Sequence, residues 1–464
     1  MSSHEIVSLV IELLYAILAL LTCHFVVFSV IGFFKHKKFP ETEEKLKYGA
    51  IIPARNEEAV IGNLIESIQN AEYPQDKLHI FVIAHNCTDK TAEVARKYGV
   101  TVYEYNNPDE CTMGYAFRYL FEQIKKDYGI ETFDGYFLFN ADNVVDQKYF
   151  SRMNDAFVAC GRKNVITSYR NSKNFGYNLM TSLYGIYFLY GCCFESRGRT
   201  VAGVSTRVQG TGYVVSSDMV KDGWKYVTLT EDWEFTVDQI LRDTPIIYCN
   251  DAIFYDEQPT GFKVMWRQRV RWARGHLLVC LSRLKDLISG FWKGAERGGT
   301  KRKFSTYDIT VNILPMCTLT TLLFVVQVVN TVACGIANRN LLSELAAYGR
   351  WLLISSVFSY VLLVLSAVLL YLREGKRIPK MRFGLKVLSV LVWPAFLFLS
   401  FPAEIVALFK HKLGWMPIPH TDTTKIETIA AGKNEPKEIK ATKEKKVPVV
   451  ETPTELSRPD ELSA

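Results

Sequence analysis

The element FNADNVVD (139–146) places oxygen-bearing side chains directly after the apolar run GYFLF. Asn140 and Asp142 fall where this run ends, and Asp146 follows about one turn later. Carboxylates in such a position suit Mg²⁺ or Mn²⁺, which take oxygen ligands and bridge phosphate groups. A turn built from Asx residues has the same composition, so the element alone predicts either a metal site or a turn.

The element TEDWEF (230–235) sets two adjacent acids, Glu231 and Asp232, beside Trp233. Burial of a carboxylate tunes its pKa toward that of a general base. The structural alternative is a solvated helix that is capped by Thr230 and carries acids in its first turn.

Two further polar elements follow apolar runs in the first hundred residues. PARNEE (53–58) comes directly after AII, and AHNCTDKTAE (84–93) comes after HIFVI. Asn86, Thr88 and Asp89 are also good residues with which to cap a helix, and PARNEE by itself is an ordinary strand–loop–helix junction. A binding role and a structural role therefore remain open for both elements.

The stretch MWRQRVRWARGH (265–276) combines four arginines with two tryptophans. Gln268, Arg271 and Trp272 are spaced i, i+3, i+4, which places them on one helical face. That face could hold a diphosphate through arginine and stack a sugar on tryptophan. Residues 261–303 contain twelve Lys or Arg against two Asp or Glu, so a basic amphipathic helix on anionic lipid is the alternative.

The pattern of apolar runs predicts a scaffold for these elements, an α/β domain over residues 47–260. Amphipathic stretches at 57–70, 89–98 and 113–126 separate the runs. Strands that alternate with helices form parallel βαβ units, and ligands bind at the C-terminal edge of such sheets. The predicted strands are YGAIIPA (48–54), LHIFVIA (78–84), VTVYEY (100–105), GYFLFNA (135–141) and PIIYCN (245–250).

A membrane span is predicted before this domain. Residues 6–34 are apolar apart from Glu12 and His24, and a lysine cluster follows at 35–38. The run exceeds the ~7–15 residues of a signal-peptide core and meets the ~20 residues that a bilayer requires. The positive-inside rule then places the following domain in the cytoplasm.

Three more spans are predicted near 309–337, 350–372 and 384–409, with the basic loop REGKRIPKMR before the last. Pro394 and Pro402 divide the last segment, so a re-entrant segment and a full span both remain open. The side of the membrane that holds the tail therefore also remains open. The chain accordingly divides into a transmembrane helix (6–34), a cytoplasmic catalytic domain (47–260), basic interfacial helices (261–303), three transmembrane segments (309–410) and a polar, disordered tail (411–464).

Composition excludes several protein classes. The 464 residues include 55 basic and 48 acidic side chains, a net charge of +7, and 48% are hydrophobic. These values exclude a collagen, a small disulfide scaffold and a wholly disordered chain. The ten cysteines include no C-x-x-C pair, so we expect reduced thiols. The basic stretch abuts a span and carries no nucleic-acid motif, so no nucleic acid is expected as a partner.

Taken together, these elements resemble the membrane-embedded family 2 glycosyltransferases, which include the cellulose, chitin, hyaluronan and poly-N-acetylglucosamine synthases. Q-x-x-R-W after T-E-D is the specific pair, because it marks the processive synthases in this group. The resemblance implies a GT-A-like (Rossmann-type) α/β domain inserted between transmembrane helices. The elements that occur in the family's order are P-x-R-N-E (53–57), the D-x-D-like element (140–142), T-E-D (230–232) and Q-x-x-R-W (268–272).

The resemblance also implies a role for each matched residue. Asp232 would be the catalytic base, and Asp142 would hold the Mg²⁺ or Mn²⁺ that bridges the diphosphate. The residues expected at the nucleotide sugar are Pro53, Arg55, Glu57, Asp89, Gln268 and Arg271. Those expected at the acceptor are Glu231, Trp272 and Gly212, the last within a G-x-G turn.

Two positions depart from the family pattern. His85 stands where the family usually has an Asp that contacts the nucleobase, and Asn140 replaces the first Asp of D-x-D. An amide oxygen can still ligate a metal or accept a hydrogen bond, but the site has one negative charge fewer.

The implied activity is an inverting, metal-dependent transfer from a nucleotide sugar, expected to be a UDP-sugar, to a growing β-linked polysaccharide at the cell membrane, with export of the product. The implied partners are the nucleotide sugar, a glycan or glycolipid acceptor and the lipid bilayer. Four spans are few for a channel, so a homo-oligomer or an export partner is also expected. Two alternatives remain: a non-processive enzyme that adds one sugar to a lipid or short glycan, and an inactive nucleotide-sugar-binding scaffold.

Overall fold

The computed structural model describes residues 3–293, 299–410, 418 and 420–430. Its strands are β1 (Tyr48–Ala54), β2 (Leu78–His85), β3 (Thr101–Tyr105), β4 (Gly135–Leu138), β5 (Val144–Val145), β6 (Val165–Ser172), β7 (Tyr213–Ser216) and β8 (Ile246–Asp256). Its helices are α1 (Ser3–Phe34), α2 (Ile61–Gln69), α3 (Thr91–Arg96), α4 (Met113–Asp127), α5 (Tyr149–Ala159), α6 (Leu179–Tyr190), α7 (Arg197–Ala202), α8 (Glu231–Leu241), α9 (Phe262–Lys293), α10 (Gly299–Ile313), α11 (Met316–Ala337), α12 (Leu341–Glu374), α13 (Phe383–Phe398), α14 (Ser400–Phe409) and α15 (Ile426–Ala430).

The strands form one sheet in the order β3-β2-β1-β4-β7-β6-β8-β5. β1 to β4 are parallel, as predicted, but β7 runs antiparallel to both β4 and β6. All five predicted strands are present, as β1 to β4 and β8. β5, β6 and β7 were not predicted, and they add antiparallel pairs to the predicted parallel units.

Helices cover both faces of the sheet. Ile51 and Ile52 are adjacent in β1 and point to opposite faces, as alternation along a strand requires. Ile52 packs with Ile65 of α2 in one core cluster, and Ile51 packs with Phe121 of α4 in the other. Full burial of each such side chain contributes about 1.5–3 kcal/mol. All ten cysteines are free thiols, as predicted.

Within the described residues, four helical segments are long and apolar enough to cross a membrane: Ser3–Phe34, Met316–Ala337, Leu341–Glu374 and Phe383–Phe409. Two of them differ from the predicted spans. The span expected at 309–337 is divided at Pro315 between α10 and α11, because proline lacks the N–H that would continue the helix. α12 begins at Leu341 rather than near residue 350.

Two buried ion pairs connect α7 of the catalytic domain to the helices that follow it, α10 and α12. Arg197 of α7 binds Glu374 of α12 at 2.6 Å, and both side chains are 2% exposed. Arg199 binds Asp308 of α10 at 2.7 Å. Loss of one partner from such a pair leaves a buried charge uncompensated, which typically costs about 3–5 kcal/mol.

The far ends of α1, α11 and α12 lie together. Asn330 of α11 hydrogen-bonds to Ser8 of α1 at 2.8 Å, and α12 begins shortly after α11 ends. The other end of α1 contacts the catalytic domain, where Gly32 lies against the backbone of Gly198. Since a helix rises 1.5 Å per residue, the N-terminus of α1 lies roughly 40–50 Å from that contact.

The fourth apolar segment consists of two helices, α13 and α14, which meet at Leu399, whereas each of the other three is a single helix. Just before the segment, Arg377 donates to the backbone oxygen of Asn250 at 3.1 Å. After it, His420 lies 2.8 Å from Glu57. The chain therefore contacts the catalytic domain before this segment and again at His420.

Part of the predicted tail has a defined structure. Residues 420–430 were expected to be disordered, yet they pack against the catalytic domain and include α15. The backbone N–H of Asp422 donates to Glu257 at 2.9 Å, and Lys173 donates to the Asp422 carbonyl at 3.0 Å. The expectation of disorder is thus wrong for this stretch, and residues 431–464 lie outside the described residues.

Candidate active site

One cavity of about 640 Å³ extends from the C-terminal edge of the sheet to α9, α13 and α14. Its described lining contains most of the residues that the sequence singled out. Asp89 and Gly212 are the two exceptions. The residues brought together are Pro53, Arg55, Glu57, Asp142, Glu231, Asp232, Gln268, Arg271 and Trp272.

The loop after β1 builds one end of the cavity. Pro53, Arg55 and Glu57 line it. The chain turns sharply at Asn56, whose φ of +59° lies in the left-handed region that asparagine tolerates better than most residues. His420 of the C-terminal segment faces this loop, with its Nδ1 2.8 Å from Glu57 Oε1.

Three carboxylates surround His420 at this end. Burial raises the pKa of Glu57, and the charge of His420 opposes this shift. Burial alone would lower the pKa of His420, but the carboxylates of Glu57, Asp142 and Glu257 raise it to about 10. The imidazolium of His420 is thus the counter-ion of this carboxylate group at neutral pH.

Asp142 and Asn140 supply the oxygens that could hold a divalent cation. Asp142 Oδ2 accepts the backbone N–H of Glu257 at 2.9 Å, and Asn140 Oδ1 is buried without a hydrogen-bond partner in the described part of the chain. A cation would satisfy this orphaned oxygen. The described residues hold no group of three His, Cys, Asp or Glu that could bind a metal alone. These residues therefore fit a Mg²⁺ or Mn²⁺ ion that shares the phosphate oxygens of a substrate.

Arg170 of β6 links this end to the middle of the cavity. Its Nε donates to Asp256 Oδ2 at 2.7 Å, and its Nη1 donates to the carbonyl of Gln209 at 2.7 Å. Burial raises the pKa of Asp256, and the charge of Arg170 opposes this shift. Burial also raises the pKa of Asp232, and the charge of Arg170 opposes that shift as well. Arg170 thus stabilises negative charge on both sides of itself.

Glu231 and Asp232 form the first turn of α8. Burial raises the pKa of both carboxyl groups, and their mutual repulsion adds to the shift of Glu231. The charge of Arg271 opposes both shifts. A carboxylate with a raised pKa is a better proton acceptor, so Asp232 is suited to deprotonate a hydroxyl group. Gly210 leaves room above it, since a Cβ there would lie 3.7 Å from Asp232 Oδ2.

α9 contributes the Q-x-x-R-W residues to the cavity wall. Gln268 Oε1 accepts the hydroxyl of Tyr184 at 2.6 Å, and Arg271 Nη1 donates to the carbonyl of Leu229 at 2.8 Å. Trp272 stacks on Tyr187, with ring planes 18° apart. The predicted helical face is therefore present, and its side chains are held in place by neighbouring elements.

Two predicted site residues, Asp89 and Gly212, make contacts that support the fold. Asp89 Oδ1 accepts the backbone N–H of Thr91 at the start of α3, and Oδ2 accepts that of Glu58. Gly212 has a φ of +68°, and a Cβ there would lie 2.2 Å from the Phe254 ring. Neither residue belongs to the described lining of the cavity, and their roles at the nucleotide and at the acceptor stay predictions.

His85 also lies behind the cavity wall. It is buried, its ring stacks on Tyr105, and its Nε2 lies 2.7 Å from the carbonyl of Glu110. Burial lowers the pKa of His85 to about 4, so the ring is neutral and Nε2–H donates to that carbonyl.

Sequence reasoning missed Arg170, Asp256, Glu257 and His420. A signal exists for Asp256 and Glu257, because IFYDE (253–257) continues an alternating pattern and ends in two acids. Arg170 lies in a strand whose polar residues hide its apolar alternation. His420 lies far along the chain in a polar segment, so its contact with Glu57 has no local signature.

Residues 47–275 match the family described as "Glycosyltransferase like family 2". The probable glycosyltransferase YdaM of Bacillus subtilis is 26% identical over 307 residues, which cover 61% of this chain and 67% of that protein. The β-monoglucosyldiacylglycerol synthase of Nostoc sp. is 26% identical over 287 residues, 59% of this chain and 57% of that protein. The chain thus spans little more than half of this relative.

Among solved structures, the mannosyltransferase PcManGT from Pyrobaculum calidifontis, in complex with GDP-Man and Mn²⁺, superposes with a TM-score of 0.49. It is 12% identical and covers 84% of this chain and 98% of that one. The family match and the sheet described above confirm the predicted GT-A-like fold class and the predicted enzyme class. The scaffold alternative is therefore not supported.

Proposed function

This chain is a glycosyltransferase with a GT-A-like family 2 domain over residues 47–275, and we propose that it transfers one sugar from a nucleotide sugar to a hydroxyl group of a membrane lipid. The observation that carries the proposal is the extent of the cavity. Asp142 lies at one end and Asp232 in the middle. α9, α13 and α14 also contribute a set of apolar side chains to its wall: Trp266, Val270, Trp393, Leu397 and Val406.

A lipid would reach this cavity without leaving the bilayer. Arg377, before the α13–α14 segment, contacts the catalytic domain, and Ala407, near the end of the segment, packs with Val270 of α9. We therefore infer that the segment is a re-entrant hairpin rather than a full span. Its surface is apolar, with Phe398 and Phe409 64% and 77% exposed. The clusters at 35–38 and 373–382 are basic, which supports a cytoplasmic catalytic domain.

The proposed reaction is a single displacement. Asp232 accepts the proton of the acceptor hydroxyl. At the same time, the oxygen of that hydroxyl attacks the anomeric carbon from the face opposite the leaving group. The bond between that carbon and the diphosphate oxygen breaks, and its electron pair leaves with the nucleoside diphosphate. The configuration is inverted. One carboxylate is enough, unlike in glycosidases, because the diphosphate leaves as an anion.

Asn140 and Asp142 would hold Mg²⁺ or Mn²⁺ together with the substrate's phosphate oxygens. When bound, the ion would neutralise charge on the departing diphosphate. Arg271 would add positive charge near Asp232, where the proton is taken up.

The relatives support a lipid acceptor. Three of the similar proteins are described as β-monoglucosyldiacylglycerol synthases. The apolar part of the cavity is consistent with an acceptor of that class. UDP-linked donors are the first to test.

Polysaccharide synthesis is the second candidate. The observation that favours it is the aromatic wall that Trp272 and Tyr187 form at the cavity, since a growing glycan could stack there. Three spanning helices and a hairpin in one chain are few for a polymer channel, which favours single transfer.

The test uses the purified full chain in lipid nanodiscs with a panel of UDP- and GDP-sugars, Mg²⁺ or Mn²⁺ and a total lipid extract. We expect nucleotide release coupled to an organic-phase product that is one sugar heavier than its acceptor. A water-soluble polymer of high mass would instead support the second candidate. Release of nucleotide without any glycosylated lipid would overturn the proposal.

A further inference from the structure

A second group of polar side chains lines the cavity beyond Asp232, and none of them was expected to be a site residue. We name this group the acceptor-side pocket; it consists of Glu195, Arg207, Gln209, Trp233 and His276. It lies in the same cavity as the nucleotide end but is built from different elements.

Arg207 and Trp233 organise the acceptor-side pocket. Arg207 Nη2 lies 2.8 Å from Glu195 Oε2, and its guanidinium carbon is 5.2 Å from the centroid of the Trp233 ring. The ring of His276 packs on Trp233 with centroids 4.3 Å apart. The pocket is therefore a packed set of planar polar groups around one indole.

An irregular helix delivers Glu195 to this pocket. Residues Gly191–Ser196, between α6 and α7, form a turn of π-helix. Such turns insert an extra residue into a helix and frequently occur at functional sites. Tyr190, Gly191 and Glu195 all line the cavity. The irregularity thus turns this stretch of helix toward the cavity.

The acceptor-side pocket has little net charge. Glu195 compensates Arg207, and Arg199, which lies 3.6 Å from Glu195, is itself paired with the acid of α10. Burial, with the nearby charge of Arg207, lowers the pKa of His276 to about 3, so its ring is neutral. The pocket has no net positive charge to attract an anionic group, and the acids of α8 beside it would repel one. It therefore suits an uncharged polar group.

Gln209 has hydrogen-bonding capacity that the described part of the chain does not use. Its Oε1 is buried without a partner there. A neutral His276 can donate from one ring nitrogen and accept at the other. Hydroxyl groups both donate and accept, so a ligand with several adjacent hydroxyls matches this set.

From these observations we propose that the lipid acceptor already carries a neutral sugar, which binds in the acceptor-side pocket and presents one of its hydroxyls to Asp232. This inference rests on the proposed function and names the class of acceptor. The displacement is the one described above, with a sugar hydroxyl as the attacking group. A lipid alcohol without a sugar would leave Gln209 unpaired, and sites built to hydrogen-bond a ligand discriminate strongly against analogues that lack the group.

The test compares dioleoylglycerol with its monoglycosyl derivatives as acceptors for the full chain in nanodiscs. The readout is the ratio of kcat/KM for the best glycolipid to that for dioleoylglycerol, which we expect to be at least about 100. Gln209→Leu keeps the volume of the side chain but removes its amide. It should lower kcat/KM for the glycolipid about tenfold and leave kcat/KM for dioleoylglycerol unchanged, so that the ratio also falls about tenfold. Gly261→Ala, in open space outside the pocket, should leave it unchanged.

Glu195→Gln provides a second measurement. It leaves the charge of Arg207 uncompensated, so phosphatidylglycerol should become a competitive inhibitor of the variant and not of the wild-type protein. Equal use of dioleoylglycerol and its glycosides, or an equal loss with both acceptors in Gln209→Leu, would overturn the inference and leave the proposed function intact. A polymer without any lipid product would overturn the proposed function as well.

Discussion

Gly275 of α9 lies against Thr230 at the start of α8, and a Cβ at Gly275 would be only 2.4 Å from Thr230 Cγ2. This contact joins the Q-x-x-R-W helix to the T-E-D helix. It sets the distance between Arg271 and the two acids of α8; burial raises the pKa of both acids, and the charge of Arg271 opposes these shifts. A glycine is required because any larger residue would push the helices apart.

Gly275→Ala should therefore lower kcat about 100-fold, because displacement of catalytic groups by about 1 Å can cost that much. The measurement is nucleotide release at saturating donor. Gly261→Ala is the matched control, since a Cβ there meets nothing within 4 Å. Equal activity of the two variants would show that the contact does not position Arg271.

Asp232→Asn should reduce sugar transfer by at least about 100-fold, the scale of general-base catalysis. Binding of the nucleotide should persist, because Asp232 lies away from the loop after β1. Transfer is measured with labelled donor, and binding by calorimetry with UDP. Asp222→Asn, an exposed acid, is the control. Undiminished transfer in Asp232→Asn would remove this residue from the mechanism.

The pH profile should reveal the environment of Asp232. Burial raises its pKa above the ordinary value, so kcat/KM should fall on the acid side at a higher pH than for an exposed Asp. The charge of Arg271 lowers this pKa, so Arg271→Gln should move the acid limb to still higher pH. The position of the limb is the readout, since the rate itself will also drop. A limb that stays in place would argue against coupling between the two residues.

Removal of divalent ions by EDTA should abolish transfer, and Mn²⁺ or Mg²⁺ should restore it. Asp142→Asn should raise the Mn²⁺ concentration needed for half-maximal activity by about tenfold or more, because the site already lacks one carboxylate at Asn140. Asp146→Asn, directly after β5 and outside the cavity lining, is the control. Full activity in EDTA would exclude the metal from the reaction.

His420→Ala should release the C-terminal segment, because it leaves the carboxylates around Glu57 without their counter-ion. Amide hydrogen exchange over 420–430 should become about tenfold faster, as expected when a hydrogen bond between charged groups is lost. Lys425→Ala removes an ion pair with Glu66 in which the lysine side chain is 52% exposed. An exposed pair contributes little to stability, so this variant should leave the exchange rate nearly unchanged. Similar exchange in both variants would mean that His420 does not anchor the segment.

Much of the site could be predicted from local pattern. Pro53, Asp142 and Asp232 each follow an apolar run or begin a helix, so their positions at the sheet edge follow from strand and helix periodicity. The spacing of Gln268, Arg271 and Trp272 likewise determines that they share a helical face. Such regularities act over a few residues, and the sequence displays them directly.

Other parts could not be predicted for physical reasons. β7 has only four residues and β6 carries polar side chains, so neither has a clear hydrophobic period; the sheet became mixed through pairing with distant strands. The contacts of Asp89 with Thr91 and of Gly212 with Phe254 likewise depend on how the loops fold, which the motifs do not display.

The sequence by itself determined that this protein has an α/β glycosyltransferase domain with apolar helices on both sides of it. The tertiary structure alone decided that the α13–α14 segment returns to the catalytic domain, that His420 meets Glu57, and that the acceptor-side pocket faces Asp232. Periodicity and motif spacing are properties of adjacent residues. These three features depend instead on contacts between residues far apart in the chain, which form only when packing and charge compensation bring them together.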